Sequence, residues 1–409
     1  MANNATQFVA GRHLVALDGV RGIAVLMVLL HHLQYVIPNP SAGWDIVKAV
    51  FYIGWTGVDL FFVLSGFLIT SILLDTRSAS NYFQSFYARR ALRIFPLYYG
   101  VLGGILLIDV LAGSAWLHWM LPVSADRKLY FVFLQNWWLL LHGKPHANMI
   151  GHFWSLAVEE QFYLMWSVCV WLAPPRRLWK LCVAFFLGTL ILRVGVVALA
   201  GPSQHLLENT FMRLDTLLAG AGCAILVRHR DVLARVERRL GLIAIGAFLA
   251  VELILIRGEE LFHASTYTES VGFSLIAIGF STLVLHSYLG RNPDSLGQKI
   301  LCSGWLTRFG RYSYGIYVYH VPILLVAERL LRPALPVIFR SPWTALLYVA
   351  AVIGLSFLVA MISYELCEKR FLAYKHRFAP RYSDRERRQH AGAGFEACRQ
   401  LPEEAAANS

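Results

Sequence analysis

Apolar runs at residues 97–117, 181–200, 241–256, 271–289 and 344–363 constrain this chain more than any other feature. Each is close to the roughly 20 residues that a helix needs to cross a bilayer. Composition agrees, with 57% hydrophobic and 15% charged residues, where soluble domains carry about 25% charged. The expectation is an all-α polytopic membrane protein. The first apolar segment holds Asp18 and Arg21 where a cleavable signal peptide has an uninterrupted apolar region, so it reads as a retained first helix.

About ten transmembrane helices are expected, near 14–37, 50–74, 94–117, 153–173, 178–200, 211–227, 240–256, 267–289, 312–331 and 344–366. Segment 129–141 (LYFVFLQNWWLLL) is too short for a span and reads as a half-buried or re-entrant piece. The connections alternate in charge. One set carries Arg77, Arg89, Arg90 and Arg93, then Arg176, Arg177 and Lys180, then a cluster from Arg228 to Arg239, then Arg291 to Arg311 and a basic tail. The other set is poorer, so the rich set is expected to be cytoplasmic, with both termini inside. The layout is then a cytoplasmic N-terminal segment (1–13), a transmembrane domain (14–366) and a basic cytoplasmic tail (367–409), expected to be disordered in its last part.

The net charge of +12 is not gathered into a patch with interleaved aromatics, so nucleic acid is not an expected partner. The six cysteines have no C-x-x-C spacing. His142, His146 and His152 lack acidic or cysteine partners at fixed spacing, and no metal is expected. No internal repeat is evident, which weakens a transporter built from inverted halves.

Ionisable residues inside the spans cost roughly 2.5–3.5 kcal/mol each on insertion scales, so they are paired or used. In LDGVRGIAVLMVLLHH (17–32), Arg21 and His32 lie within about 20° of one face and about 16 Å apart, while His31 points about 80° away. Asp18 can pair with Arg21 at i, i+3. The stripe places Arg21 toward the cytoplasmic half and His32 toward the outer half. In GVDLFFVLSGFLIT (57–70), Ser65 and Gly66 are small enough to let helices approach closely. Arg89, Arg90 and Arg93 at the approach to the third span are either topology anchors or a phosphate grip, since guanidinium forks bind phosphate bidentately. Pro96 bends or opens that approach.

GHFWSLAVEEQFYLMW (151–166) carries Glu159 and Glu160 about two turns into a span, and adjacent residues point about 100° apart, so at most one faces a given cavity. That carboxylate and His32 can meet, an arrangement common for a general base. The alternative pairs either glutamate with Arg193 or Arg213. Arg213 and Asp215 read as a structural ion network, and His320 in YSYGIYVYH (312–320) as a hydrogen-bonded core residue.

Arg21-x10-His32, FF-x-x-SG at 61–66, RR-x-x-R-x-x-P at 89–96, WSLAVEEQFYL at 154–164, R-x-D-x-L-x-x-G at 213–220 and YSYGIY-x-x-H at 312–320 together resemble the acyltransferase-3 family of integral membrane O-acyltransferases. The resemblance implies about ten helices and transfer of an acyl group, usually acetyl, from cytoplasmic acyl-CoA to hydroxyls of carbohydrates or related acceptors. It implies that His32 is the base or acyl relay and Arg21 its companion. Arg89, Arg90 and Arg93, with Ser65, would form the acyl-CoA end, and Glu159 or Glu160 would face the cavity. In the family the FYL segment is often followed by a proline, while position 167 here is Ser167, a departure that bears on a bend in the fourth span. With no hydrolase-like soluble domain read after residue 366, the stand-alone form of the family is expected; the resemblance implies a bacterial inner membrane, with acyl-CoA, a carbohydrate acceptor and the bilayer as partners.

The expected reaction joins these parts. CoA phosphates meet the arginines, the thioester reaches into the bundle, and neutral His32, held by a carboxylate, takes the acceptor's hydroxyl proton. Serine and cysteine routes are weaker, because Ser65 has no base in its own segment and Cys169 no charged neighbour. The rival reading is a proton-coupled transporter or exporter using Arg21, His32 and the glutamates as a relay.

Overall fold

The computed structural model describes residues 15–36, 51–111, 127–142, 149–203, 208–256, 266–290 and 292–383. The expectations for the N-terminal segment, for His146 and for the tail beyond 383 lie outside these residues. Each of the ten segments expected to span contains a helix or part of one: α1 (Val15–Leu33), α2 (Gly57–Asp75), α3 (Tyr82–Leu111), α4 (Trp154–Leu172), α5 (Pro175–Ala200), α6 (Thr210–Leu226), α7 (Leu240–Ile256), α8 (Phe273–Leu289), α9 (Gly304–Leu331) and α10 (Pro342–Ser363).

Six of the described helices are long and apolar enough to cross a membrane, or seven if α6 and Arg230–Glu237, bent by 117° to each other, form one span. The rest fall outside that measure for physical reasons. α4 carries the paired glutamates, α9 carries arginines and a run of tyrosines, and α7 has 17 residues. The burial pattern is that of an integral multi-pass protein. Ile191 and Leu199 on α5, Leu242 and Phe248 on α7 and Leu347 on α10 are all exposed, an apolar exterior that suits lipid and that water would not tolerate.

The interior is built by α1, α2, α6 and α9, with α1 packed on α9 and α2, and α2 packed on α6. Small residues set these distances. A Cβ at Gly66 would stand 1.9 Å from the Leu217 carbonyl oxygen, and one at Gly220 would stand 1.8 Å from that of Val63. The two glycines are reciprocal: each lets the backbone of the other helix touch its own. Gly66 is therefore a packing residue.

Buried polar contacts tie α2 and α6 to each other and to α5 and α8. Arg193 of α5 grips Asp215 of α6 through both terminal nitrogens, at 3.1 and 2.7 Å, and donates to Ser274 of α8 at 2.6 Å. Arg213 pairs with Asp59 of α2 at 2.5 Å and stacks 4.0 Å from the Phe273 ring centre. The structural network expected for Arg213 and Asp215 is present, and these arginines take aspartates rather than Glu159 or Glu160.

Helix α3 starts at Tyr82, earlier than expected, and runs through Pro96 as one continuous helix. α4 is likewise continuous through Ser167, whose hydroxyl bonds Tyr87 at 2.6 Å and whose carbonyl accepts from Tyr82 at 3.0 Å. Segment 129–141 forms parts of two short helices, Arg127–Tyr130 and Gln135–His142, joined through Phe133 at φ +55°.

Candidate active site

A cavity of about 180 Å³ lies between α1, α2, α3, α4 and α9. Its polar lining is Arg21, Ser65, Arg90, Arg93, Glu159 and Tyr163, closed by Ser155 and Tyr317. The supply of these groups follows helical spacing. Ser155, Glu159 and Tyr163 recur every four residues on α4, and Arg90 and Arg93 are three apart on α3, so each set presents one face. That periodicity resolves the glutamate pair: Glu159 lines the cavity, beside Ser65, Tyr163 and Arg90, while Glu160 does not.

The polar side chains are chained. Arg90 donates to the Tyr163 hydroxyl at 2.9 Å, and that hydroxyl bonds Ser65 at 2.6 Å. Arg21 donates to Asp18 at 2.6 Å, as their i, i+3 spacing predicts. Arg93 differs from both, because among the described residues it has neither a carboxylate at ion-pair distance, as Arg21 has, nor a side-chain hydrogen bond of the kind that holds Arg90. A second cavity, about 490 Å³, adjoins the first through Arg21, Arg93 and Tyr314 and adds Arg308 and Arg311 of α9. The larger cavity is lined by these cations together with two carboxylates, Asp18 and Glu368.

His32 stands outside the smaller cavity, behind Tyr317. The Tyr317 hydroxyl donates to the His152 carbonyl at 2.8 Å and is bonded to Ser155, while its ring contacts His152 and His320 at centroid separations of 5.3 and 5.6 Å. His32 Nδ1 lies 2.9 Å from the Val28 carbonyl and 3.3 Å from His320 Nε2. A carbonyl only accepts, so Nδ1 carries the proton and Nε2 of the neutral ring keeps its lone pair. His31 faces elsewhere, against Tyr52, Gln34 and Tyr35.

Of the expected site residues, the smaller cavity gathers Arg21, Ser65, Arg90, Arg93 and Glu159, and leaves out Arg89, Glu160 and His32. The carboxylate expected to hold His32 is replaced by His320. Glu159 lines the smaller cavity, whereas His32 lies against His320 and His152 and is not part of that lining. Tyr163, Tyr314, Tyr317, Arg308, Arg311 and His320 were not among the expected site residues. Their signal was a spacing of three in Tyr314, Tyr317 and His320, masked by a run in which tyrosine is common. Among the described residues no group of three or more His, Cys, Asp or Glu side chains is arranged to hold a metal ion.

Comparison with known proteins supplies the remaining finding. The chain is 28% identical over 375 residues to the peptidoglycan O-acetyltransferase OatA of Listeria monocytogenes, covering 87% of this chain and 55% of that protein. It is 27% identical over 330 residues to the O-acetyltransferase OatA of Staphylococcus aureus, covering 77% and 51%, and 27% identical over 377 residues to the putative peptidoglycan O-acetyltransferase YrhL of Bacillus subtilis, covering 88% and 55%. The chain thus spans about half the length of these curated relatives. No solved structure matches it significantly. A family model described as "Acyltransferase domain" matches residues 14–365, and the chain belongs to that acyltransferase-3 family.

Proposed function

We propose that this chain is a membrane-embedded O-acyltransferase that moves an acetyl group from acyl-CoA, supplied on the cytoplasmic side, to a carbohydrate hydroxyl, with peptidoglycan as the acceptor. The observation that carries this reading is the position of Arg93, a cation without a carboxylate partner among the described residues, at the junction of two adjoining cavities. An unpaired guanidinium in a half-buried passage is costly unless an anion arrives to meet it. The phosphates of CoA are such an anion, and an acyl-pantetheine arm is slender enough to pass onward. The acceptor is taken from the names of the Listeria OatA and of YrhL, and the cytoplasmic side from the arginine-rich loops.

Each residue then has a task. Arg93, Arg308 and Arg311 hold donor phosphates in the larger cavity. Arg21, fixed by Asp18, lines the arm's route. Glu159, with Arg90, Tyr163 and Ser65, orients the thioester end by hydrogen bonds. His32 Nε2 takes the proton of the acceptor hydroxyl as its oxygen attacks the thioester carbonyl. The C–O bond forms, the C–S bond breaks, and the leaving thiolate receives that proton from His32. Tyr317 and Ser155 stand between the cavity and the histidines, so their mutual hydrogen bond opens for the two ends to meet.

Purified full-length protein in nanodiscs, with no ion gradient, tests this against transport. Acetyl-CoA labelled in its acetyl group is supplied with peptidoglycan fragments. Label in the glycan, with one free thiol released per acetyl transferred, is the expected result. Absence of both over hours, with donor binding demonstrable, would remove the enzyme reading; a transporter would move substrate only when a gradient is imposed.

A further inference from the structure

We infer that the base of this site is a pair of histidines, in which His320 is the positioning residue that, together with the Val28 carbonyl, holds the Nδ1–H of His32 and shares its charge. This rests on the acyl transfer proposed above. It replaces the carboxylate that usually stands behind a histidine base with a second imidazole.

The hydrogen-bond partners define both rings. His320 Nδ1 lies 2.7 Å from the Tyr317 carbonyl, so it is the protonated nitrogen, and Nε2 of the neutral ring is an acceptor. That acceptor points at His32 Nδ1, 3.3 Å away, and the two rings meet edge to face at 4.8 Å. The Nδ1–H of His32 is therefore shared between His320 Nε2 and the Val28 carbonyl. The Val28 carbonyl sits four residues back on the same helix, where it also accepts the backbone N–H of residue 32 in the regular ladder. His320 is thus the acceptor not already committed to the helix.

The surroundings make this acceptor matter. His320 is 1% exposed, and its further neighbours are the His152 ring at 4.9 Å and Tyr317. His31 and Tyr35 flank His32 from the other side. Among the described residues no carboxylate pairs with either ring. When His32 Nε2 takes the hydroxyl proton, the ring becomes a cation with no carboxylate beside it. Its Nδ1–H bond to His320 then becomes charge-assisted, roughly twice as strong as a neutral one. The gain exists only once the proton has moved, so it lowers the barrier and leaves donor binding alone.

Three replacements separate this role from packing. His320→Leu removes the acceptor. His320→Asn keeps a donor near the Nδ1 position for Tyr317 but does not reach His32. His320→Gln places its Oε1 close to where Nε2 was and restores the acceptor. Leu and Asn should each lower kcat about 10- to 100-fold with the KM for acetyl-CoA within about twofold, and Gln should recover most of the loss. Equal kcat in all three folded variants, or a fall in donor affinity that tracks the fall in kcat, would overturn the pair. A second measurement does not depend on turnover. ¹⁵N spectra of histidine-labelled full-length protein should show His32 protonated at Nδ1 in the wild type and the Gln variant, and a measurable population of the Nε2 tautomer in the Leu variant, where the Val28 carbonyl alone holds the Nδ1–H. Should the wild type transfer nothing, the proposed function fails while the spectra still decide whether His320 helps to hold that proton.

Discussion

Arg90 donates to the Tyr163 hydroxyl at 2.9 Å and also lays its guanidinium 4.7 Å from the centre of the same ring, whereas Arg93, one turn on, holds neither. The two arginines that share a face in the sequence are thus chemically unlike. Arg90 is committed to the wall of the cavity, and Arg93 is available to a ligand.

Replacing them separately should therefore give different kinetic signatures. Arg93→Ala removes a charge-assisted phosphate contact worth about 1.5–3 kcal/mol, so the KM for acetyl-CoA should rise about 10- to 100-fold with a smaller fall in kcat. Arg93→Lys should recover part of this, since lysine keeps the charge without the fork. Arg90→Ala should instead lower kcat and thermal stability together, because Tyr163 and Ser65 lose the group that orients them. The same KM defect in both variants, at equal stability, would return the arginines to a single undivided cluster.

The two adjacent histidines of α1 should also separate. His32 offers a free Nε2, while His31 is 7% exposed and engaged by Tyr52, Gln34 and Tyr35. His32→Ala should abolish transfer in protein that still binds donor. His31→Gln should keep most of the activity and lose some stability, read as a lower midpoint of thermal unfolding in the same detergent. Equal loss of kcat in both would mean that the pair acts as a unit.

Sidedness is the premise of the donor site and can be measured independently. Ser78, in the turn between α2 and α3, and Ala334, after α9, are both exposed. Cysteines placed there, after replacing the exposed Cys302 and Cys367, should react oppositely with an impermeant thiol reagent in intact cells. Ala334→Cys should label and Ser78→Cys should label only after lysis. The reverse pattern would put the arginine cluster outside and exclude a cytoplasmic donor at Arg93.

Much of this was legible in the sequence because helical periodicity is local. Arg21 with Asp18, the face shared by Arg90 and Arg93, and the divergence of His31 from His32 all follow from 100° per residue. The partner of His32 was not legible. His320 lies 288 residues away on α9, and nothing local distinguishes it from a core histidine. The choice between Glu159 and Glu160 lay between these cases. The four-residue stripe of Ser155, Glu159 and Tyr163 was present in the sequence, but it marks a functional face only once Tyr163 is seen against Ser65 and Arg90.

The close crossing of α2 and α6 is, with that of α1 and α9, among the tightest backbone approaches in the bundle, and it bears on the cavity, since Ser65 is adjacent to Gly66. A methyl group at Gly66 or Gly220 would fall inside 2 Å of a carbonyl oxygen on the opposite helix. Rigid backbone cannot yield as a flexible side chain does, so the helices must separate, losing contacts around Val63, Phe67, Leu217 and Ala221, all of them fully buried. Overpacking of a well-packed core typically costs about 1–3 kcal/mol, and a backbone clash belongs at the upper end. Gly220→Ala should lower the unfolding midpoint in detergent, and Gly220→Leu should prevent recovery of monodisperse protein. Gly188→Ala, at a helix position with open space around it, is the control and should leave both stability and activity near wild type. Full stability of Gly220→Ala would show that α2 and α6 can part without cost and that the position of Ser65 does not depend on their contact.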